Sequence, residues 1–219
     1  MDRFTPIDRE NWDREEMYRL YTEQWGNTWF SCTVRLDVTQ TVRYQKEKGQ
    51  KFVPAVYYAV SRGMCQQVNF CLRLHNGELG YWDKVHPMYP VLRQTGNFTF
   101  HSVPYQEDYQ AFYDAYIEES VRNKDQCGAF AEPMPENVFT ISNLYFMPFD
   151  SFSFAMKNTR YYYSHIISLG RYEEDGAGRL MLPFSATVNH AVVDAYHVHL
   201  LSQDIQKLLL HPETWPGRV

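Results

Sequence analysis

Trp12, Met17, Leu20 and Tyr21 recur at helical spacing among the charges of Asp8 to Gln24, which predicts an amphipathic helix closed by the Gly26-Asn27 turn signal. Trp29 to Val38 instead alternates Phe30, Cys32, Val34, Leu36 and Val38 on one side, the period of a half-buried strand. Thr39 to Gln50 reads as a charged helix ending near Gly49, and Pro54 suits the first turn of a longer helix to Val68. Two short apolar runs flank Asn76-Gly77 between Leu72 and Trp82, a hairpin signal, and Met88 to Tyr105 supplies two more strands broken at Gly96-Asn97. Gln106 to Lys124 is helical by period, Pro133-Met134-Pro135 is a loop, and Val138 to Leu144 is an apolar strand. Ser151 to Met156 and Tyr161 to Tyr172 are predicted as strand, Asp175 to Gly178 as a turn, and Arg179 to His190 as a returning strand. Val198, Leu201, Ile205 and Leu208 mark a closing amphipathic helix, so the whole reads as α+β.

Composition narrows what such a chain does. With 219 residues and 44% hydrophobic positions it can bury one large core, and a single domain over residues 1–219 is expected. A formal charge of −5 gives no counterweight to phosphate repulsion, which argues against nucleic acid and anionic membrane and leaves small molecules or protein as partners. No apolar run reaches the roughly 20 residues of a membrane span, and Met1-Asp2-Arg3 begins no secretory signal, so a cytoplasmic location is expected. Cys32, Cys65, Cys71 and Cys127 show no C-x-x-C spacing and read as free thiols.

The segment Ser185 to His197 carries the chemistry, because a strand ends in His190 four residues before Asp194, where a helix begins. An imidazole titrates near neutrality and suits proton transfer, yet His190 taken alone also fits a core histidine, and Asp194 fits a helix N-cap. A metal site built from His190, Asp194, His197 and His199 is disfavoured, since residues two apart share no helical face and no H-E-x-x-H or cysteine pair supports it; no metal is expected.

His190-Ala191-Val192-Val193-Asp194 resembles the active-site motif of the chloramphenicol acetyltransferases, a trimeric, coenzyme A-dependent family. The resemblance runs along nearly the whole chain through Asn11-Trp12-Asp13-Arg14-Glu15-Glu16, Lys51-Phe52-Val53-Pro54, Pro104-Tyr105, Pro135-Glu136-Asn137, Ile141-Ser142, Phe149-Asp150-Ser151-Phe152, Ile166-Ile167-Ser168 and Leu182-Pro183. It implies a two-layer sandwich of packed helices on a mixed, largely antiparallel sheet, a homotrimer with its site between subunits, and O-acetylation from acetyl-coenzyme A as co-substrate. Non-catalytic binding of a small ligand on the same scaffold is the alternative.

Carried over, the resemblance makes His190 the general base, Ser142 the hydroxyl that donates to the oxyanion, and Asp194 with Arg14 a pair that structures the turn. It makes Tyr21, Phe30, Phe98, Phe154 and Ser168 acceptor-pocket residues and Lys51, Arg171 and Tyr172 coenzyme A contacts. Asn189 stands where the family commonly has a second histidine, Ala195 where it has glycine, and Asn143-Leu144-Tyr145-Phe146 where it has a Pro-Trp turn. These departures bear on the acceptor and leave the base in place.

Overall fold

The computed structural model describes residues 2–26, 28–157, 159 and 161–216. In chain order the elements are β1 (Phe4–Pro6), α1 (Glu15–Arg19) running into a π-helical turn (Leu20–Gln24), β2 (Trp29–Asp37), α2 (Thr39–Glu47), α3 (Phe52–Cys65), α4 (Val68–Cys71), β3 (Leu72–His75), β4 (Glu78–Trp82), β5 (His86–Leu92), β6 (Phe98–Ser102), α5 (Tyr109–Arg122), β7 (Val138–Leu144), β8 (Ile166–Gly170), β9 (Glu173–Glu174), β10 (Leu180–Asn189) and α6 (Ala195–Leu210).

The main sheet has the order β2-β10-β8-β7-β5-β6, with β9 on the end of β10. Strand β7 is parallel to β8 and to β5, and the other pairings are antiparallel. One face of β10 presents Leu182, Phe184, Ala186 and Val188 to a helical layer, each at most 2% exposed. Helix α3 is the centre of that layer: Ala55, Val56, Tyr57, Tyr58, Ala59, Val60 and Met64 are sealed from solvent, and Pro54 lies in its first turn as expected. Gly63 lets α6 come close, since a Cβ there would stand 3.0 Å from Ile205 Cγ1.

The other face of β10 carries Pro183, Ser185, Thr187 and Asn189, also buried, and its hydroxyls are matched across the sheet. Thr33 donates to Ser185 Oγ at 3.0 Å, Ser31 and Thr187 share a 2.7 Å bond, and Ser185 donates to the Phe152 carbonyl at 2.6 Å. This last bond explains why Ser151–Met156 is not the strand its pattern predicts: both edges of β10 are taken by β2 and β8, and the segment crosses over the sheet instead. Of Tyr161–Tyr172 only Ile166–Gly170 forms ladder.

The predicted first helix is also shorter than Asp8–Gln24. Asp8 accepts the Glu10 N–H and the Asn11 amide, a local turn that competes with helix, so α1 starts only at Glu15. Asn27 of the predicted turn lies outside the described residues. The small sheet β1-β4-β3 includes the hairpin around Asn76 (φ 52°) and Gly77 (φ 82°), positive angles that this two-residue turn requires. Strand β1 is new; it pairs with β4 at Gly80, where a Cβ would lie 2.4 Å from the Phe4 ring.

Candidate active site at the end of β10

Strand β10 delivers the chain to a tight turn before α6, and nearly every polar group in that turn is tied down. The His190 N–H continues the ladder to Thr28 O at 2.9 Å. Asn189 Oδ1 accepts the Ala191 N–H at 2.9 Å, while its amide reaches Tyr162 O at 3.3 Å and Thr159 O at 3.4 Å. Arg14 enters from α1's first turn with four contacts: Nε to Ala191 O at 2.9 Å, Nη2 to His190 O at 2.8 Å, and a bidentate grip on Asp194 at 2.5 and 2.7 Å. A planar guanidinium satisfies two carbonyls and a carboxylate at once, which an ammonium cannot.

Asp194 stands at the N-cap of α6, but its carboxylate serves Arg14. Its N–H goes to His197 Nδ1 at 3.0 Å. Hydrogen bonds from Arg14 hold the Asp194 carboxyl below the usual carboxylate range, outweighing partial burial. Burial and then the Arg14 charge hold His197 below the ordinary histidine value, so it accepts as a neutral ring.

The His190 ring is sandwiched. Tyr21, on the π-helical turn, stacks on it with centroids 4.2 Å apart and planes 10° from parallel, and Phe30 of β2 tilts against it at 4.7 Å. Tyr21 Oη lies 3.4 Å from Nε2. Nδ1 is buried 3.1 Å from Asp194 Oδ1 without the alignment of a hydrogen bond. The nitrogen available to an incoming hydroxyl is Nε2, beside a phenol and a neutralised Arg–Asp pair.

Ser142 and Ser168 sit side by side in the β7–β8 ladder, and Ser168 pairs in turn with Ser185. The Ser142 hydroxyl makes no hydrogen bond among the described residues. The Ser168 hydroxyl is buried and likewise has no hydrogen-bond partner among them. Neither serine is near His190 of the same chain. The register sets Ser142 level with Ser185, five residues short of His190 and two strands away, a separation of roughly 19 Å at ordinary strand rise and spacing.

A third group forms at the opposite end of β10. Phe52, Val53 and Tyr57 of α3, Asn143 near the end of β7 and Tyr145 just after it, and Arg171 and Tyr172 after β8 line an apolar groove of about 100 Å³ that opens to solvent. Lys51 immediately precedes it at the start of α3, and Tyr172 meets Phe52 edge-on at 5.2 Å. Of the three expected coenzyme A contacts, Arg171 and Tyr172 line this groove, and Lys51 is the chain neighbour of its lining residue Phe52. The groove also touches Leu182, eight residues along β10 from His190 or roughly 26 Å. Phe98 lies on the far edge strand β6 and Phe154 in the segment over the sheet, against Phe152; both are exposed, and neither ring pairs with His190 as Tyr21 and Phe30 do.

Sequence reasoning missed Asn69, whose amide holds Val192 O at 2.9 Å, and the roles of Asn189 and His197 in the turn. The Asp194/His197 spacing is that of a capping box and was a readable signal; Asn69 had none.

The chloramphenicol acetyltransferase family profile matches residues 2–206. A chloramphenicol acetyltransferase of Staphylococcus aureus is 33% identical over 216 residues, covering 97% of this chain and 98% of its own length. Chloramphenicol acetyltransferase 3 of Escherichia coli is 32% identical over 207 residues, covering 94% and 96%. Among solved structures, a chloramphenicol acetyltransferase superposes with a TM-score of 0.79 at 21% identity over 95% of this chain and 98% of the other. A dihydrolipoamide acetyltransferase of Azotobacter vinelandii superposes with a TM-score of 0.67 at 19% identity over 90% and 86%. Both have the coenzyme A-dependent acyltransferase fold.

Proposed function

This chain belongs to the chloramphenicol acetyltransferase family of acyltransferases, and from that premise we propose that it transfers an acetyl group from acetyl-coenzyme A to a hydroxyl of chloramphenicol or a related small molecule. His190 Nε2 takes the proton of the acceptor hydroxyl as its oxygen attacks the thioester carbonyl. The Ser142 hydroxyl donates to the oxyanion of the tetrahedral intermediate. Collapse breaks the carbon–sulfur bond, and His190 returns the proton to the coenzyme A thiolate. A positioned base contributes typically about 10²–10⁴-fold, and one oxyanion donor about 3–4 kcal/mol.

The observation that carries this reading is the clamped turn. Arg14 fixes the carbonyls of His190 and Ala191 and the carboxylate of Asp194, and among the described residues the one polar contact of Nε2 is a long one, to Tyr21. A non-catalytic ligand sink needs no such placement of a base.

The separations within one chain favour a site shared between subunits, as in the homotrimer that the family resemblance implies. His190 lies roughly 19 Å from its own Ser142 and farther from its own groove, so a working centre joins the His190 of one subunit to the Ser142 and the coenzyme A groove of the next. Lys51 and Arg171 meet the coenzyme A phosphates and Tyr172 its adenine, with Phe30, Phe98, Phe154 and Ser168 shaping the acceptor side. Thiol release from acetyl-coenzyme A across chloramphenicol and other hydroxyl compounds tests the reading. Acceptor-dependent release with intersecting initial-rate lines is expected, and silence across the panel overturns it.

A further inference from the structure

Two peptide planes meet at the Cα of His190, and together they set the direction in which the imidazole leaves the backbone. All four of their polar atoms are occupied. In the plane before it, Asn189 O accepts the N–H groups of Val193 at 3.1 Å and Val192 at 3.2 Å, and the His190 N–H donates to Thr28 O at 2.9 Å. In the plane after it, Arg14 Nη2 donates to His190 O at 2.8 Å, and the Ala191 N–H donates to Asn189 Oδ1 at 2.9 Å.

Backbone supplies every bond to the first plane, whereas the second plane depends on two side chains. Arg14 holds the carbonyl end of the 190–191 peptide and Asn189 holds the amide end. A planar peptide gripped at one end keeps a pivot, and one gripped at both ends does not.

Asn189 is itself held. It is 1% exposed, and its Nδ2 faces Tyr162 O at 3.3 Å and Thr159 O at 3.4 Å. Two carbonyls on that side put the amide nitrogen there and leave the oxygen for Ala191. Of the three contacts the one to Ala191 is the shortest, and because Ala191 is also buried, losing Oδ1 strands its N–H away from water.

We infer that Asn189 is a positioning residue for the base: its side-chain oxygen locks the 190–191 peptide opposite Arg14 and so keeps the His190 ring stacked on Tyr21 with Nε2 in place. Asn189 touches no reacting atom and acts through the backbone of His190. The asparagine that departs from the family's paired histidines therefore serves the base, where the resemblance alone pointed to the acceptor. The effect on turnover rests on the acyltransferase reading above; the effect on the ring does not.

Two substitutions in the full chain test this. Asn189→Ala loses both ends of the side chain, whereas Asn189→Ser loses the amide nitrogen and keeps a side-chain oxygen able to accept an N–H two residues on. Each is assayed at a temperature where circular dichroism shows it folded. In Asn189→Ala, kcat for thiol release should fall about 10–10²-fold with both KM values within about twofold, the mark of a base displaced by about 1 Å or less. A side chain that only stabilised the fold would leave kcat of the folded variant unchanged. Asn189→Ser should recover kcat to within about fivefold. In proton–carbon spectra of protein carrying labelled histidine, the His190 ring signal, assigned by its loss in His190→Ala, should shift or broaden in Asn189→Ala and stay in place in Asn189→Ser. An unmoved His190 signal with unchanged kcat in Asn189→Ala overturns the inference. Where Asn189→Ala fails to fold, a displaced ring signal in Asn189→Ser overturns it. If the wild-type protein turns over no acceptor, the ring signal alone decides, which separates failure of the acyltransferase reading from failure of this one.

Discussion

Tyr21 covers one face of the His190 imidazole at 4.2 Å and places its hydroxyl 3.4 Å from Nε2, over the ring face, which leaves the in-plane lone-pair direction of Nε2 clear of the phenol. Only a weak hydrogen bond exists at that distance.

Tyr21→Phe keeps the stack and loses the hydroxyl, and kcat should fall less than about fivefold, in line with a net hydrogen bond of about 1 kcal/mol or less. Tyr21→Ala also unseats the ring and should cost far more in kcat. Steady-state kinetics of the two variants separate orientation by the ring from hydrogen bonding.

Arg14→Ala frees two carbonyls as well as the carboxylate, whereas Asp194→Asn loses only the charge pair. Arg14→Ala should therefore be the more damaging to activity and to urea stability. The double variant should be less than additive by about 0.5–3 kcal/mol. Additive losses would show that the two residues act separately.

His190→Ala should abolish nearly all turnover with coenzyme A binding retained, and Ser142→Ala should lower turnover by about 10²–10³-fold. Mixed trimers give a sharper reading. Co-refolding equal amounts of the two inactive variants should restore about a quarter of the wild-type rate, the chance that a site between subunits draws both intact residues. No recovery would mean that base and donor come from one chain.

Acid stability should be set first by His165. It is wholly buried, with neither ring nitrogen hydrogen-bonded to a described side chain, and burial followed by the Arg73 charge holds it well below the usual 6.5. The folded chain keeps it neutral, so its contribution is complete above about 6.5 and declines as the unfolded state takes up the proton, by up to about 1.4 kcal/mol per pH unit for each such group. His197 has the same sign. Asp194 adds stability above its ordinary 3.8 and loses it as pH falls through its lowered folded value. The urea midpoint should fall as pH drops below about 6.5 and fall further below about 4, and His165→Gln should flatten the onset near 6.5.

The parts legible from sequence are those in which one local rule decides. The alternation of Phe30, Cys32, Val34 and Leu36, the Asn76-Gly77 turn and the run from Ala55 to Met64 each have a period or a turn residue to read, and the structure has them as strand, hairpin and helix. Asp8 won its segment for a turn where helical spacing spoke for a helix. Strand β1 exists because Gly80 leaves room for Phe4, a contact across some 75 residues that no window of sequence contains. The π-helical turn that aims Tyr21 at His190 has no periodic signature at this length. The Arg14–Asp194 pair was legible through resemblance; Asn69, which supports the same turn, was not.

Strand β10 is the second strand of the main sheet in space and nearly the last element in the chain, and its partners β2 and β8 are made long before or just before it. During synthesis β2 has no neighbour until residue 180 onward has emerged, and Arg14 waits still longer for Asp194. Such late, distant pairings slow folding and leave an apolar strand edge open meanwhile. A chain halted before Asp194 leaves the Arg14 guanidinium without its partner, and one halted before Leu180 also leaves the β2 edge open, so the clamped turn forms only once synthesis has passed the start of α6.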